Sequence, residues 1–269
     1  MIIKRSTKAD ELAFLEEVIA DEDFTSLPAT TQSRLRKHRR GLWGERATAH
    51  MIDRHLLTSD NTAVIHDLRI ADQGGSFAQF DHLLLNRWAK RATIVEVKNY
   101  AGRLSKNDHG EWMVWYTGQR RPRDIPNPVE QARRQAEVLR RWLIRNALDK
   151  VFPRVDVFVS VPPECSIDRS KVGTDEPLVK SDNLISRWLE TSGLSELDVM
   201  FSIGVISSSD LRAYAQKLAR AHVAGPDIYD VLNIRPQGEA SVQGPEHPSV
   251  NVPDTTTILA TQEAVDGSR

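Results

Sequence analysis

Cysteine is nearly absent from the 269-residue sequence: Cys165 stands alone, which excludes an intramolecular disulfide and any cysteine-rich zinc site and fits a reducing compartment. Beside Pro162 and Pro163 it reads as a small core hydrophobe. An excess of one charge sign is also lacking. Lys and Arg number 36 against 37 acids, a net charge of −1, so the chain wears no general basic coat for nucleic acid and any electrostatic footprint must be local. Long hydrophobic runs are missing as well. No window approaches the roughly 20 apolar residues that span a bilayer, and the opening MIIKRSTKADELAF lacks the apolar core of a signal peptide. The expectation is a cytoplasmic protein with no membrane partner. Its length suits one substantial core, and there is no internal repeat.

What is present is organised in blocks. Residues 1–40 read as an N-terminal helical extension, acidic up to about residue 30 and then basic through Arg34, Arg36, Lys37, Arg39 and Arg40. From 41 to 57 the pattern predicts a helix with Glu45, Ala49, Ile52 and Leu56 on one stripe. The runs AVIHDLRI, FDHLLLN and ATIVEVKNY predict three strands, and GRLSKNDHGEWMVWYTGQ a hairpin. Asn127 and Pro128 predict the cap and first residue of a helix, VEQARRQAEVLRRWLIRN, whose apolar arc includes Gln131 at its N-terminal end. RVDVFVSVP predicts a further strand, apolar as if covered on both faces. Short strands at PLVK and VMFSIGVI and helices at SDNLISRWLE and SSSDLRAYAQKLARAH complete a main domain over residues 41–234. The segment 235–269, rich in Pro, Gly, Ser and Thr, is expected to be a disordered tail.

The stretch IVEVKNYAG raises the functional question, because Glu96 and Lys98 leave the same face of an apolar strand. Alone, E-x-K is an ordinary edge-strand pattern. Asp81 on the preceding strand would lie beside Glu96 if the two strands pair, and Glu45 on the inward stripe of the earlier helix could join them. Three converging carboxylates need a cation. Oxygen ligands favour Mg²⁺ or Mn²⁺, with the carbonyl of Val97 as a further ligand. Lys98 would then orient a water or hold a scissile phosphate, and phosphodiester hydrolysis suits these parts.

The ordered motifs GERATAHMID, HDLRIADQGGSFAQFDHLLL, IVEVKNYAGRL, GEWMVW and NPVEQARRQAEVL resemble the nuclease-related domain, NERD, a branch of the PD-(D/E)xK phosphodiesterases. The resemblance runs from about residue 41 to 145. It implies an α/β, restriction-endonuclease-like fold, a mixed central sheet flanked by helices in αβββαβ order, and a Mg²⁺-dependent nuclease. By the same resemblance Asp81 is the motif aspartate, Glu96 and Lys98 its E-x-K, Glu45 the acid of the first helix and Gln131 the polar residue of the helix after the sheet. Phe80 departs from the pattern, where a small aliphatic residue is expected before the aspartate.

For the substrate, DNA is expected, with RNA not separable from the protein side. Residues 119–145 carry a local surplus of arginine in which Arg120, Arg121, Arg123, Arg133 and Arg134 are the candidate phosphate contacts. An arginine-rich solvated helix face is the competing reading. Trp112, Trp115 and Tyr116 could stack on bases, although alternation in EWMVWY favours a hairpin core for at least one tryptophan. His50, His66 and His82 are expected to be structural donors. A catalytically weak nucleic-acid-binding or assembly module of the same fold is the alternative to an active enzyme, and the sequence specifies neither a homo-oligomer nor a protein partner.

Overall fold

A computed structural model describes residues 1–192 and 206–225, all within one compact unit, Met1–Asn233. The tail expected at 235–269 and nearly all of the strand expected at VMFSIGVI lie outside the described residues. The central sheet has the strand order β1(Ile2–Lys4), β2(Thr62–Ala71), β3(Phe77–Asn86), β4(Arg91–Val97), β8(Arg154–Val161), β10(Leu178–Lys180). β2, β3 and β4 form an antiparallel meander, while β1 joins β2, β8 joins β4 and β10 joins β8 in parallel, so the sheet is mixed. A smaller sheet contains β5(Gly102–Lys106), β6(Trp112–Tyr116), β7(Arg123–Asp124) and β9(Ser166–Ile167). The order αβββαβ expected from the sequence is present as α2(Ala29–Leu56), β2, β3, β4, α3(Pro128–Arg145) and β8.

The apolar strands need two covered faces, and helices supply both. Ile65, Leu83, Leu85, Ala92 and Ile94 pack with Ala136, Leu139 and Leu143 of α3 and with Leu211, Ala215 and Leu218 of α6(Ser208–Arg220). Val64, Leu84, Val95 and Phe158 alternate with them and meet Ile52 and Leu56 of α2 and Leu184, Ile185 and Trp188 of α5(Leu184–Glu190). Each fully buried aliphatic side chain contributes about 1.5–3 kcal/mol of transfer free energy, so this double covering fixes strand register more firmly than backbone pairing does. Phe80, the departure noted above, is wholly buried on the α3 side.

The smaller sheet has its own core, in which Leu104, Trp112 and Val114 pack on Val129 and Ala132 of α3 and on Cys165. Cys165 is thus the core hydrophobe the sequence suggested, and burial pushes its thiol up to about 11. Gly102 is required where β5 meets β6, because a Cβ there would lie 2.4 Å from the carbonyl oxygen of Trp115. Asn127 caps α3 as expected, its Oδ1 accepting from the amides of Val129 and Glu130 at 3.0 and 3.1 Å.

The N-terminal segment is more integrated than its composition suggested. α2 is one 28-residue helix running unbroken through residues 40 and 41, and α1(Lys8–Ala20) packs on it through buried Leu12 and Leu15. The basic run 31–40 is therefore the outer face of its first half. No helix among the described residues is long and apolar enough to cross a membrane.

Candidate active site

The pairing His82↔Val95 is the last ladder rung between β3 and β4 toward the end of β4, and Asp81 and Glu96 are the residues that follow it on the two strands. Glu96 follows the alternation of Ile94 onto the α3 face, while Asp81 lies beside it across the two strands. At this strand end α3 presents Gln131 and Gln135 rather than apolar side chains, and they accommodate a buried charge. Asp81 Oδ2 accepts the backbone N–H of Val97 at 2.7 Å, fixing one carboxylate on the neighbouring strand. The amide of Lys98 donates to the Ser160 carbonyl at 2.9 Å, extending the β4–β8 pairing by one residue. That extension brings Lys98 Nζ to 2.7 Å from Glu96 Oε1.

α3 supplies the other side. Its Asn127 cap sets the phase of the first turns, and Gln131 Nε2 donates to Glu96 Oε1 at 2.7 Å. Gln135, one turn later on the same helix face, donates from Nε2 to Glu96 Oε2 at 2.8 Å. The sequence reading did not single out Gln135, although its spacing from Gln131 was a usable signal. Gln135 Oε1 is buried and has no hydrogen-bond partner.

Glu45 approaches from α2. Ala49, Ile52 and Leu56 occupy the buried stripe expected of them, and Glu45 continues it with a side chain 19 % exposed. Gly44 allows the helix to approach the loop after β4, since a Cβ there would lie 3.1 Å from Asn99 Cβ, while Asn99 Nδ2 donates to the Arg40 carbonyl. Glu45 is partnered by Lys8, which no local pattern places there: Lys8 Nζ lies 3.7 Å from Glu45 Oε2. Asp67, also missed, takes a left-handed backbone at φ 50° on the rung of β2 between His66↔His82 and Leu68↔Phe80. Its Oδ2 accepts the Thr7 amide at 2.7 Å at the start of α1, and its buried Oδ1 has no partner. Nothing in a strand-period pattern signals a positive φ.

The electrostatics follow from this crowding. Burial pushes the Asp81 carboxyl well above the usual carboxylate range, with the charges of Glu96 and Glu45 adding to it and the Val97 amide and Lys98 opposing. Burial also pushes Glu45 up to about 7 against the pull of Lys8, reinforced by Asp67, Glu11 and Glu96. A carboxyl held above its unfolded value keeps its proton longer in the folded state. The unfolded chain then binds fewer protons between the two values, and stability falls as pH rises, for Glu45 from about 4.5 to about 7. We therefore predict that metal-free Asp81→Asn protein in EDTA melts higher than the wild type above about pH 7 and that the gap narrows toward pH 5. Equal melting curves at both pH values would contradict this reading of the cluster.

The three-carboxylate metal group expected from the sequence is not assembled as such. Among the described residues no three His, Cys, Asp or Glu side chains are gathered to hold one ion. Asp81 and Glu96 lie on neighbouring strands just past their last shared rung, whereas Glu45 comes from another element and is engaged by Lys8. The remaining set still fits a hard cation, because Mg²⁺ is commonly bound through one or two carboxylates with the rest of its shell from water and substrate. Buried Asp81 and the partnerless oxygen of Gln135 are what such an ion would satisfy.

The histidines are structural, as expected for His66 and His82. His66 Nε2 meets Asp53 Oδ1 at 2.9 Å and its Nδ1 meets His82 Nδ1 at 2.8 Å, both rings being fully buried on the face opposite Asp81. His50 is exposed. Trp112 is buried in the hairpin core and Trp115 is 41 % exposed. Arg120, Arg121, Arg123, Arg133 and Arg134 are all exposed. Arg133 pairs with Glu130 at 2.6 Å, while the other four form no salt bridge among the described residues. The loop carrying Arg120 and Arg121 leads through Arg123 into the turn of α3 that holds Gln131.

Against known proteins, residues 40–161 match the family model described as nuclease-related domain, NERD. No curated protein and no solved structure matches the chain. The matched span begins in the turn of α2 before Glu45 and ends with β8, so it encloses Glu45, Asp81, Glu96, Lys98, Gln131 and Gln135 and omits Lys8. Residues 40–161 of this α/β chain, with its mixed sheet flanked by helices, thus carry a nuclease-related domain, a family whose general placement is the PD-(D/E)xK superfamily.

Proposed function

We propose that the protein is a metal-dependent nuclease that hydrolyses DNA phosphodiester bonds. The observation that carries this reading is the meeting of Asp81 from the middle of β3 with Glu96 and Lys98 at the end of β4, held by side chains from α3, inside the span that matches a nuclease-related family. Asp81, Glu96 and the Val97 carbonyl would hold Mg²⁺ or Mn²⁺. A divalent ion bound there would polarise a phosphoryl oxygen and lower the pKa of a bound water.

The chain's own residues do the positioning. Gln131 and Gln135 each bind one oxygen of Glu96, so its carboxylate plane is fixed before substrate arrives. Val97 N–H does the same for Asp81. Lys98 is partly exposed and its ammonium can turn from Glu96 toward a phosphate oxygen, compensating charge as it builds in the transition state. Incubating purified protein with plasmid DNA and Mg²⁺, Mn²⁺ or EDTA tests the proposal: cleavage with metal and none with EDTA is expected. Absence of cleavage under all three conditions contradicts it, and cleavage of RNA alone transfers the activity to RNA.

One observation favours the alternative of a binding module. Both oxygens of Glu96 are already engaged, by Lys98 and Gln131 on one side and Gln135 on the other. A pure binding module keeps salt-sensitive DNA binding in Glu96→Ala and leaves DNA intact with metal. For the phosphate-tracking rim, the triple replacement of Arg120, Arg121 and Arg123 by Ala is expected to flatten the slope of log K against log salt by about 2–3. An unchanged slope, measured by fluorescence anisotropy, removes these arginines from the interface.

A further inference from the structure

Lys8 is a buried charge outside the site described above. Lysine is almost never buried without a partner, yet Lys8 is 8 % exposed and lies at the first turn of α1, outside the matched span. Its Nζ is 3.2 and 3.3 Å from the two oxygens of Glu11 and 3.7 Å from Glu45 Oε2. Its place is fixed by the buried α1 residues Leu12 and Leu15 and by Asp67, which accepts the Thr7 amide and both the Ser6 and Thr7 hydroxyls. The backbone of this segment is thus pinned to β2 one residue before the lysine. Asp67 itself is buried and keeps one oxygen without a hydrogen bond, and Glu45 Oε2 accepts none either, its contact with Lys8 at 3.7 Å being an ion pair. Acids from α1 and α2 thus meet this one ammonium, and Asp67 adds its charge from β2, where Lys4 Nζ lies 3.0 Å from the Asp67 carbonyl. Without Lys8, Glu11 and Glu45 would lose the cation they share, leaving negative charge that attracts a divalent ion.

We propose that Lys8 is a built-in cation of the active site, taking the place of a second divalent ion beside Glu45, so that the protein works with a single ion at Asp81 and Glu96. The inference rests on the nuclease reading above and deepens it. Lys8 is a positioning residue: it holds Glu45 outside the ligand set of the single ion, and the N-terminal segment becomes part of the site.

Mn²⁺ binding to the full chain, counted by electron paramagnetic resonance without substrate, separates the two levels. Wild type is expected to bind one ion at the site. Asp81→Asn should weaken it by more than about 100-fold, since it removes a direct ligand where even the loss of an outer partner costs 10–100-fold. Glu45→Gln should leave it within about twofold. Lys8→Gln should add a second ion and Lys8→Arg should not. Two ions in the wild type, a Glu45→Gln loss as large as that of Asp81→Asn, or one ion in folded Lys8→Gln each overturn the assignment. If Lys8→Gln does not fold, the wild-type count and the Glu45→Gln comparison decide alone. A wild type that binds no Mn²⁺ sinks the metal-dependent reading itself and this assignment with it, whereas a single ion that depends on Glu45 sinks only the latter.

Discussion

Lys98→Ala protein is expected to fold as the wild type does and to lose about 10²–10⁴ of its turnover on DNA, the range associated with removing a group that compensates charge or moves a proton in the transition state. The fold survives because the part of Lys98 that belongs to the sheet is its backbone. Its amide donates to Ser160, and alanine keeps that bond. The side chain is partly exposed, and without it Glu96 still has Gln131 and Gln135. Stability should fall by about 1–3 kcal/mol, because buried Glu96 loses its ammonium but keeps two amide donors. Single-turnover cleavage at saturating Mg²⁺, alongside a thermal melt, checks both halves. Retention of more than about a tenth of wild-type turnover would remove Lys98 from the chemistry.

The largest stability effect is expected at Trp188→Ala. Trp188 is 1 % exposed and packs with Val95, Leu184 and Phe158 on the α2 face of the sheet. Its indole N–H donates to Thr93 Oγ1 at 3.0 Å, tying α5 to β4. Arg91, itself 1 % exposed, lies 5.3 Å from the ring centre and donates to the Trp188 carbonyl at 2.7 Å. Removing the ring leaves a large cavity, orphans the Thr93 hydroxyl and loosens the cover over buried Arg91. Trp→Ala changes of this kind cost about 3–5 kcal/mol, a large share of the roughly 5–15 kcal/mol that holds a domain together. Urea denaturation should show the midpoint falling with little change in slope. A loss below about 1 kcal/mol would mean that α5 does not cover the sheet as described.

The sheet and its two main helices were legible in the sequence because their causes are local. β2, β3 and β4 are apolar on both faces and bounded by turn residues, and α3 announces itself through Asn127, Pro128 and a clear apolar arc. Asp81, Glu96 and Lys98 were legible as a group because strand periodicity and a short connection set these residues side by side on paired strands. Gln131 was visible as a polar residue on an apolar arc, and Gln135 went unnoticed although it repeats that feature one turn on.

Other features depend on contacts between distant segments. β1 is three residues long and joins β2 in parallel across a helical excursion, which no local pattern encodes. Lys8 lies in a stretch that reads as a small amphipathic helix, and its burial follows from how α1 docks on α2. Asp67 reads as one more strand residue, while its positive φ and its bond to Thr7 arise only once β1 and α1 are in place. The same docking explains why Glu45, placed on the correct stripe, did not join the other two acids: its partner came from a segment that lies outside the family span.

Anomalous diffraction from crystals soaked in Mn²⁺ shows where a divalent ion binds. A peak is expected about 2.0–2.3 Å from carboxylate oxygens of Asp81 and Glu96 and near the Val97 carbonyl, with Lys8 still beside Glu45. A peak elsewhere, or none at saturating Mn²⁺ while Glu96 keeps all its present partners, would contradict the proposed metal site.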